Sequence, residues 1–139
     1  MRCRNNKYRL IIMFIKNKKE TIYYSGFSMK PPEGVELLEN NKGIIIGSTS
    51  GAIDVDVPDY KILSFWDRIE EIGVWKWRKK YPYSKLKYEQ LLDGYNWELK
   101  LRDRKGRAKY CSGYESFPRK FKNLIKELNN LFGSNIYFY

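Results

Sequence analysis

Residues 95–118 read YNWELKLRDRKGRAKYCSGYESFP, and this stretch decides the fold. Tyr95, Trp97, Leu99 and Leu101 alternate with Asn96, Glu98, Lys100 and Arg102. A period of two with one apolar and one wet face is the signature of a half-buried β-strand. Lys105-Gly106 supplies the turn, and the return strand ends in Tyr110-Cys111-Ser112-Gly113-Tyr114 ahead of Pro118. Shifting the chain by 87 positions lays residues 8–31, YRLIIMFIKNKKETIYYSGFSMKP, on the same pattern. Tyr8 falls on Tyr95, Lys18 on Lys105, Tyr23 on Tyr110, Ser25-Gly26 on Ser112-Gly113, and Pro31 on Pro118. The expectation is two similar β-hairpin units.

Working outward, Tyr8 to Ile15 is apolar on both alternating faces, as in strands covered on both sides. Thr21 to Phe27 reads as its return strand, and Pro31 to Gly34 as a loop. Glu36 to Lys42 fits no period cleanly; a helical turn is the nearest reading. Gly43 to Gly47 and Ala52 to Val57 read as short strands around the turn Ser48 to Gly51. Asp59 is placed to cap a helix in which Ile62, Phe65, Trp66, Ile69 and Ile72 form one apolar stripe. Gly73 follows as its terminator. Ser116 is placed as the cap of a last helix, with Pro118 in its first turn and a stripe of Phe121, Leu124, Ile125, Leu128, Leu131 and Phe132 ending at Gly133. The fold class expected is α+β: an antiparallel sheet built from two similar β-hairpins plus one or two further strands, with two amphipathic helices packed on one face. The 139 residues form a single domain, with units at 8–31 and 95–118 and helices at about 59–72 and 117–132.

A chain of this length buries roughly two-thirds of its unfolded surface. The 17% aromatic content is that of a folded chain. The net charge of +11 is unevenly spread. Residues 1–30 carry eight Lys/Arg and one Glu, residues 31–71 three Lys/Arg and nine Asp/Glu, and residues 72–139 sixteen Lys/Arg and six Asp/Glu. Two basic ends around an acidic middle point to an anionic partner. Arg2, Arg4 and Lys7 precede the apolar run Leu10 to Ile15, but Lys16 to Lys19 follow at once, without a cleavage site for a signal peptide. The expected location is cytoplasmic, away from the membrane.

Two cysteines, Cys3 and Cys111, and no histidine exclude a Cys/His zinc site and histidine-based acid–base or nucleophilic chemistry. Asp59 with Glu98-Leu99-Lys100 matches the letters of a metal-dependent nuclease motif, but a helix intervenes where the motif needs neighbouring strands. Asp54 and Asp56 share a strand face, which alternation alone explains. The Gly47 to Gly51 loop lacks the lysine of a nucleotide-binding loop. No catalytic residue, cofactor or metal site is assigned.

What remains is a set of cations interleaved with aromatics. Trp75, Lys76, Trp77, Arg78, Lys79 and Lys80 form one group, and Lys100, Arg102, Arg104, Lys105 and Arg107 form a second on the wet face and turn of the later hairpin. Phosphate neutralisation needs Lys/Arg, and base stacking needs aromatic faces.

Gly73-Val74-Trp75-x-Trp77, Asp93-Gly94-x-x-Trp97 and Ser112-Gly113-Tyr114-x-x-x-Pro118-x-x-Phe121 together resemble a loose group of small bacterial proteins of uncharacterised activity. The resemblance covers residues 60–132 and implies a domain, not a reaction. The functional expectation is a non-enzymatic binding module for an anionic partner, nucleic acid or an acidic protein surface. The rival is a small inhibitor or immunity-type protein of the phage counter-defence class, and a metal-dependent nuclease is a distant third.

Overall fold

The computed structural model describes residues 18–27, 30–47, 51–83 and 94–139. Strands β1 (Lys19–Phe27), β2 (Glu33–Leu38), β3 (Lys42–Gly47) and β4 (Gly51–Asp56) lead into helix α1 (Asp59–Ile72). A 3-10 turn (Val74–Lys76), strand β5 (Lys80–Tyr81), strands β6 (Tyr95–Arg102) and β7 (Ala108–Tyr114) and helix α2 (Phe121–Phe132) complete the order. The strands form one sheet, β4-β3-β2-β1-β6-β7-β5. Neighbours run antiparallel except β5, which runs parallel to β7. The class is α+β, a mixed sheet with two helices.

The β6–β7 hairpin has the expected register: Trp97 opposite Gly113, Leu99 opposite Cys111, Leu101 opposite Lys109. In the earlier unit, the first strand expected at residues 8–15 lies outside the described residues. Its second strand is β1, whose neighbours are β2 and β6, with Tyr23 opposite both Val35 and Leu99. The two strands that end in Tyr-x-Ser-Gly-aromatic, β1 and β7, therefore flank β6 on either side.

One face of the sheet carries Tyr23, Val35, Leu37, Tyr95, Trp97, Leu99, Leu101 and Cys111, all buried. Against it pack Ile62, Phe65, Ile69 and Ile72 of α1 and Phe121, Leu124, Leu128 and Phe132 of α2 in one core. Fully burying each such side chain stabilises the fold by roughly 1.5–3 kcal/mol. Two polar bonds cross this core. The Tyr23 and Tyr95 hydroxyls lie 2.7 Å apart, and the Tyr95 hydroxyl donates to the Tyr137 carbonyl at 2.8 Å. Burial pushes both phenols above the usual tyrosine range; the Tyr95 neighbour adds to the rise at Tyr23, whereas the hydrogen bond from Tyr23 offsets part of it at Tyr95.

Three local readings are corrected. Glu36 to Lys42 is no helical turn: β2 ends at Leu38, and the reversal is made at Asn41, whose φ of 64° suits asparagine better than most residues. Asp59 does not cap α1. Pro58 holds that position, and the Asp59 carboxylate instead accepts a hydrogen bond from the Asn41 amide while sitting in the positive first turn of the helix. Ser116 does not cap α2, which begins at Phe121 behind Lys120. Phe117 precedes Pro118, and the proline ring disfavours helical backbone at that position. The Ser116 carbonyl is used instead by the Trp97 indole, at 3.0 Å. Gly73, with φ 83°, ends α1 as expected, its N–H reaching the Ile69 and Glu70 carbonyls.

Candidate nucleic-acid interface

The Trp/Lys segment splits between core and surface. Trp77 is buried and stacks on Phe121 at 6.2 Å. Trp75 stacks on Trp66 of α1 at 6.2 Å and 18°, with the Arg107 guanidinium 4.3 Å from its ring centre. Both indoles are packing elements. Lys76, Arg78, Lys79 and Lys80 are exposed, and Arg78 lies 4.8 Å over the Tyr81 ring.

The basic turn of the β6–β7 hairpin also divides. Asp103 organises it: its carboxylate accepts from the backbone N–H of Lys105 at 3.0 Å, and from the backbone N–H and side-chain Nε of Arg107, each at 2.8 Å. Desolvation pushes this buried carboxyl up, but the Arg107 contacts and the Lys105 N–H outweigh it and hold Asp103 below the usual carboxylate range. Arg107 also pairs with Glu70 of α1 at 2.5 Å. Arg104 grips the buried Glu20 carboxylate through Nε at 3.0 Å and Nη2 at 3.2 Å. It reaches Asn41 at 2.6 Å as well. Arg104 and Arg107 are thus structural cross-links from the hairpin to β1 and α1. Arg102 and Lys105 are exposed and have no ion-pair partner among the described residues, and Lys100 leans over the Tyr110 ring at 5.5 Å.

The face of the sheet opposite the helices brings three of the remaining cations together, Lys80, Lys100 and Arg102, while Lys76 and Arg78 lie elsewhere, beside Ile72 and Lys120. Alternation puts Asn96, Glu98, Lys100 and Arg102 of β6 on this face, with Tyr110, Ser112 and Tyr114 of β7 beside them. Parallel pairing of β5 sets Lys80 opposite Ser112, so a residue twenty positions from Lys100 joins the same surface. On the other flank Tyr24 of β1 pairs with Glu98. Tyr24 is fixed in place: its hydroxyl donates to Glu36, and its ring lies across Gly34, where any Cβ would come within 2.6 Å of it. An open groove of about 690 Å³ runs over this face, lined by Tyr24, Lys30, Lys80, Asn96, Glu98 and Tyr114 among others. A second concavity of about 500 Å³ continues it along Lys100, Arg102, Lys109 and Tyr110.

Tyr24, Tyr110 and Tyr114 had no place in the sequence-based site. The period of two that marks Lys100 and Arg102 as wet also marks Tyr110 and Tyr114, but only the sheet order brings Tyr24 alongside. Among the described residues no three of Asp, Glu, Cys or His gather as metal ligands. The carboxylate of Asp59 is turned to Asn41, while Glu98 and Lys100 lie on the open face of β6. No described helix is long and apolar enough to cross a membrane. No family model, curated protein or solved structure matches the chain.

Proposed function

We propose that this protein is a non-enzymatic binding module that docks an anionic partner, nucleic acid, on its basic surface. The observation that supports this reading is the meeting of two separate basic segments: Lys80 arrives through β5 on the face that already carries Lys100 and Arg102. Lys30 and Lys109 line the same two concavities, whereas Arg78 lies beside Ile72 and Lys120 in a separate one. Cations spaced along an open sheet suit a phosphodiester backbone, whose neutralisation releases counterions and makes affinity fall with salt.

The test is a titration of labelled single-stranded and duplex RNA and DNA at low and moderate salt. Five or six phosphate contacts correspond to a log–log salt slope of about −4 for a single strand. Binding that is missing at low salt, or indifferent to salt, overturns the reading. Retention of a protein from nuclease-treated host lysate, with no affinity for nucleic acid, transfers the surface to the inhibitor class. Magnesium-dependent cleavage by the purified protein, abolished in Glu98→Ala, would establish the nuclease reading.

A further inference from the structure

Resting on the nucleic-acid reading, we infer that the open face of the sheet takes unpaired nucleobases of a single strand, with Tyr24, Tyr110 and Tyr114 as stacking platforms. Three tyrosines on the wet face of a sheet are not needed for the core, which lies wholly on the other side. Tyr110 and Tyr114 project from the same face of β7 four residues apart, about 13 Å at the rise of a strand. Tyr24 stands two strands away from β7, roughly 10 Å across the sheet. The rings are therefore spread across a surface, as separate bases require, instead of being collapsed on one another. Tyr24 is pre-set by Glu36 and Gly34, and Tyr114 is supported by the Tyr83 ring at 5.3 Å, so little ordering is left to the moment of binding.

The charges between the rings assign an orientation to the strand. Glu98 lies in the middle of the face, level with Tyr24 and Ser112, and a phosphate placed there would be repelled. A carboxylate is instead suited to the exocyclic amino group of a base, and the neighbouring Asn96 offers both a donor and an acceptor. Phosphates then follow Lys80, Lys100 and Arg102 while base edges meet Asn96 and Glu98. A duplex has its base faces and Watson–Crick edges occupied by pairing, so it is left with the phosphate contacts alone.

The experiment compares a labelled 15-nucleotide single strand of mixed sequence, as RNA and as DNA, with the matching duplexes and with heparin. Wild type, Tyr110→Ala/Tyr114→Ala and Tyr110→Phe/Tyr114→Phe are titrated after thermal melts show both variants folded. The expected result is a loss of tenfold or more for the single strand in the Ala variant. Heparin affinity stays unchanged, and the Phe variant retains wild-type binding. Glu98→Gln should narrow the preference of the wild type for oligo(C) over oligo(U). Equal affinity for single strand and duplex, with no effect of the Ala variant, overturns the stacking inference while leaving a salt-dependent nucleic-acid binder intact. Failure to bind any nucleic acid removes both readings.

Discussion

The Trp97 indole lies directly over Gly113, its Nε1 2.4 Å from the point where a β-carbon on that glycine would sit. The same nitrogen continues past the bare backbone to donate to the Ser116 carbonyl. A strand of the central hairpin thus has a missing side chain where the largest ring of the core must cross it.

Gly113→Ala should therefore be costly although the position is in an ordinary strand. The added methyl meets both the indole and the Ser116 carbonyl, at 2.6 Å, and neither is a free side-chain end. Overpacking of this kind costs about 1–3 kcal/mol. Urea denaturation should show a lower midpoint with an unchanged slope, and an unchanged midpoint would mean the ring can tilt away freely.

Asp103 makes the hairpin turn sensitive to acid. Its carboxyl is held below the unfolded value, so the stabilisation it provides is complete above about pH 4 and is lost as pH falls through the lower folded pKa. Asp103→Asn should be less stable than wild type at pH 7, by about 1–3 kcal/mol for the weakened contacts to Arg107 and Lys105. The gap between the two proteins should close at low pH. A gap that is constant from pH 7 to 2 would show that the charge of Asp103 does not matter.

The cations of the turn should separate into two classes. Arg104→Ala leaves the Glu20 carboxylate buried without its guanidinium, whereas Arg102→Ala and Lys105→Ala disturb no ion pair among the described residues. The Arg104 head is half exposed, which brings the expected loss down to about 1–2 kcal/mol. Thermal melts should show Arg104→Ala shifted downward and the other two within a degree or two of wild type. Charge-reversal tests of binding are accordingly clean at Lys100, Arg102 and Lys105 and confounded at Arg104 and Arg107.

Trp77→Ala should cost about 3–5 kcal/mol, the usual loss for a large aromatic deleted from a core. Trp75, clamped between Trp66 and Arg107 but only partly buried, should cost less. Chemical denaturation of the two variants orders them; a Trp77→Ala protein as stable as wild type would return that indole to the surface.

The features legible in the sequence are those set by neighbours along the chain. The β6–β7 hairpin follows from strict alternation around Lys105-Gly106, and α1 from its stripe and the glycine behind it. The helix starts are not legible there, because a capping residue is recognised only by the bond it makes: Ser116 spends its carbonyl on Trp97, and Asp59 accepts from Asn41. β2 and β5 are not legible for a different reason. β2 is a strand because Val35 and Leu37 fill the space beside Tyr23, and β5 because two residues happen to lie along β7; neither has a period long enough to announce itself. The same gap in information hid the division of the site. Composition groups Trp77 with Lys80, yet one turns into the core and the other onto the open face. Tyr24 acquires a candidate role only from where β1 stands in the sheet.

The two rims of the sheet are unequal. β5 is two residues long and is closed by Pro82, which has no N–H to offer, while β4 is six residues long and carries Asp54 and Asp56. The molecule is consequently polar in a mechanical sense: among the described residues, the β4 rim presents a longer row of edge backbone groups than the β5 rim does. That rim belongs to the acidic middle of the chain, and with Asp56 already paired to Lys42, Asp54 would favour a lysine-rich extended segment over an acidic one. High salt, which weakens the grip of a basic surface on phosphate, would at the same time relax this selectivity.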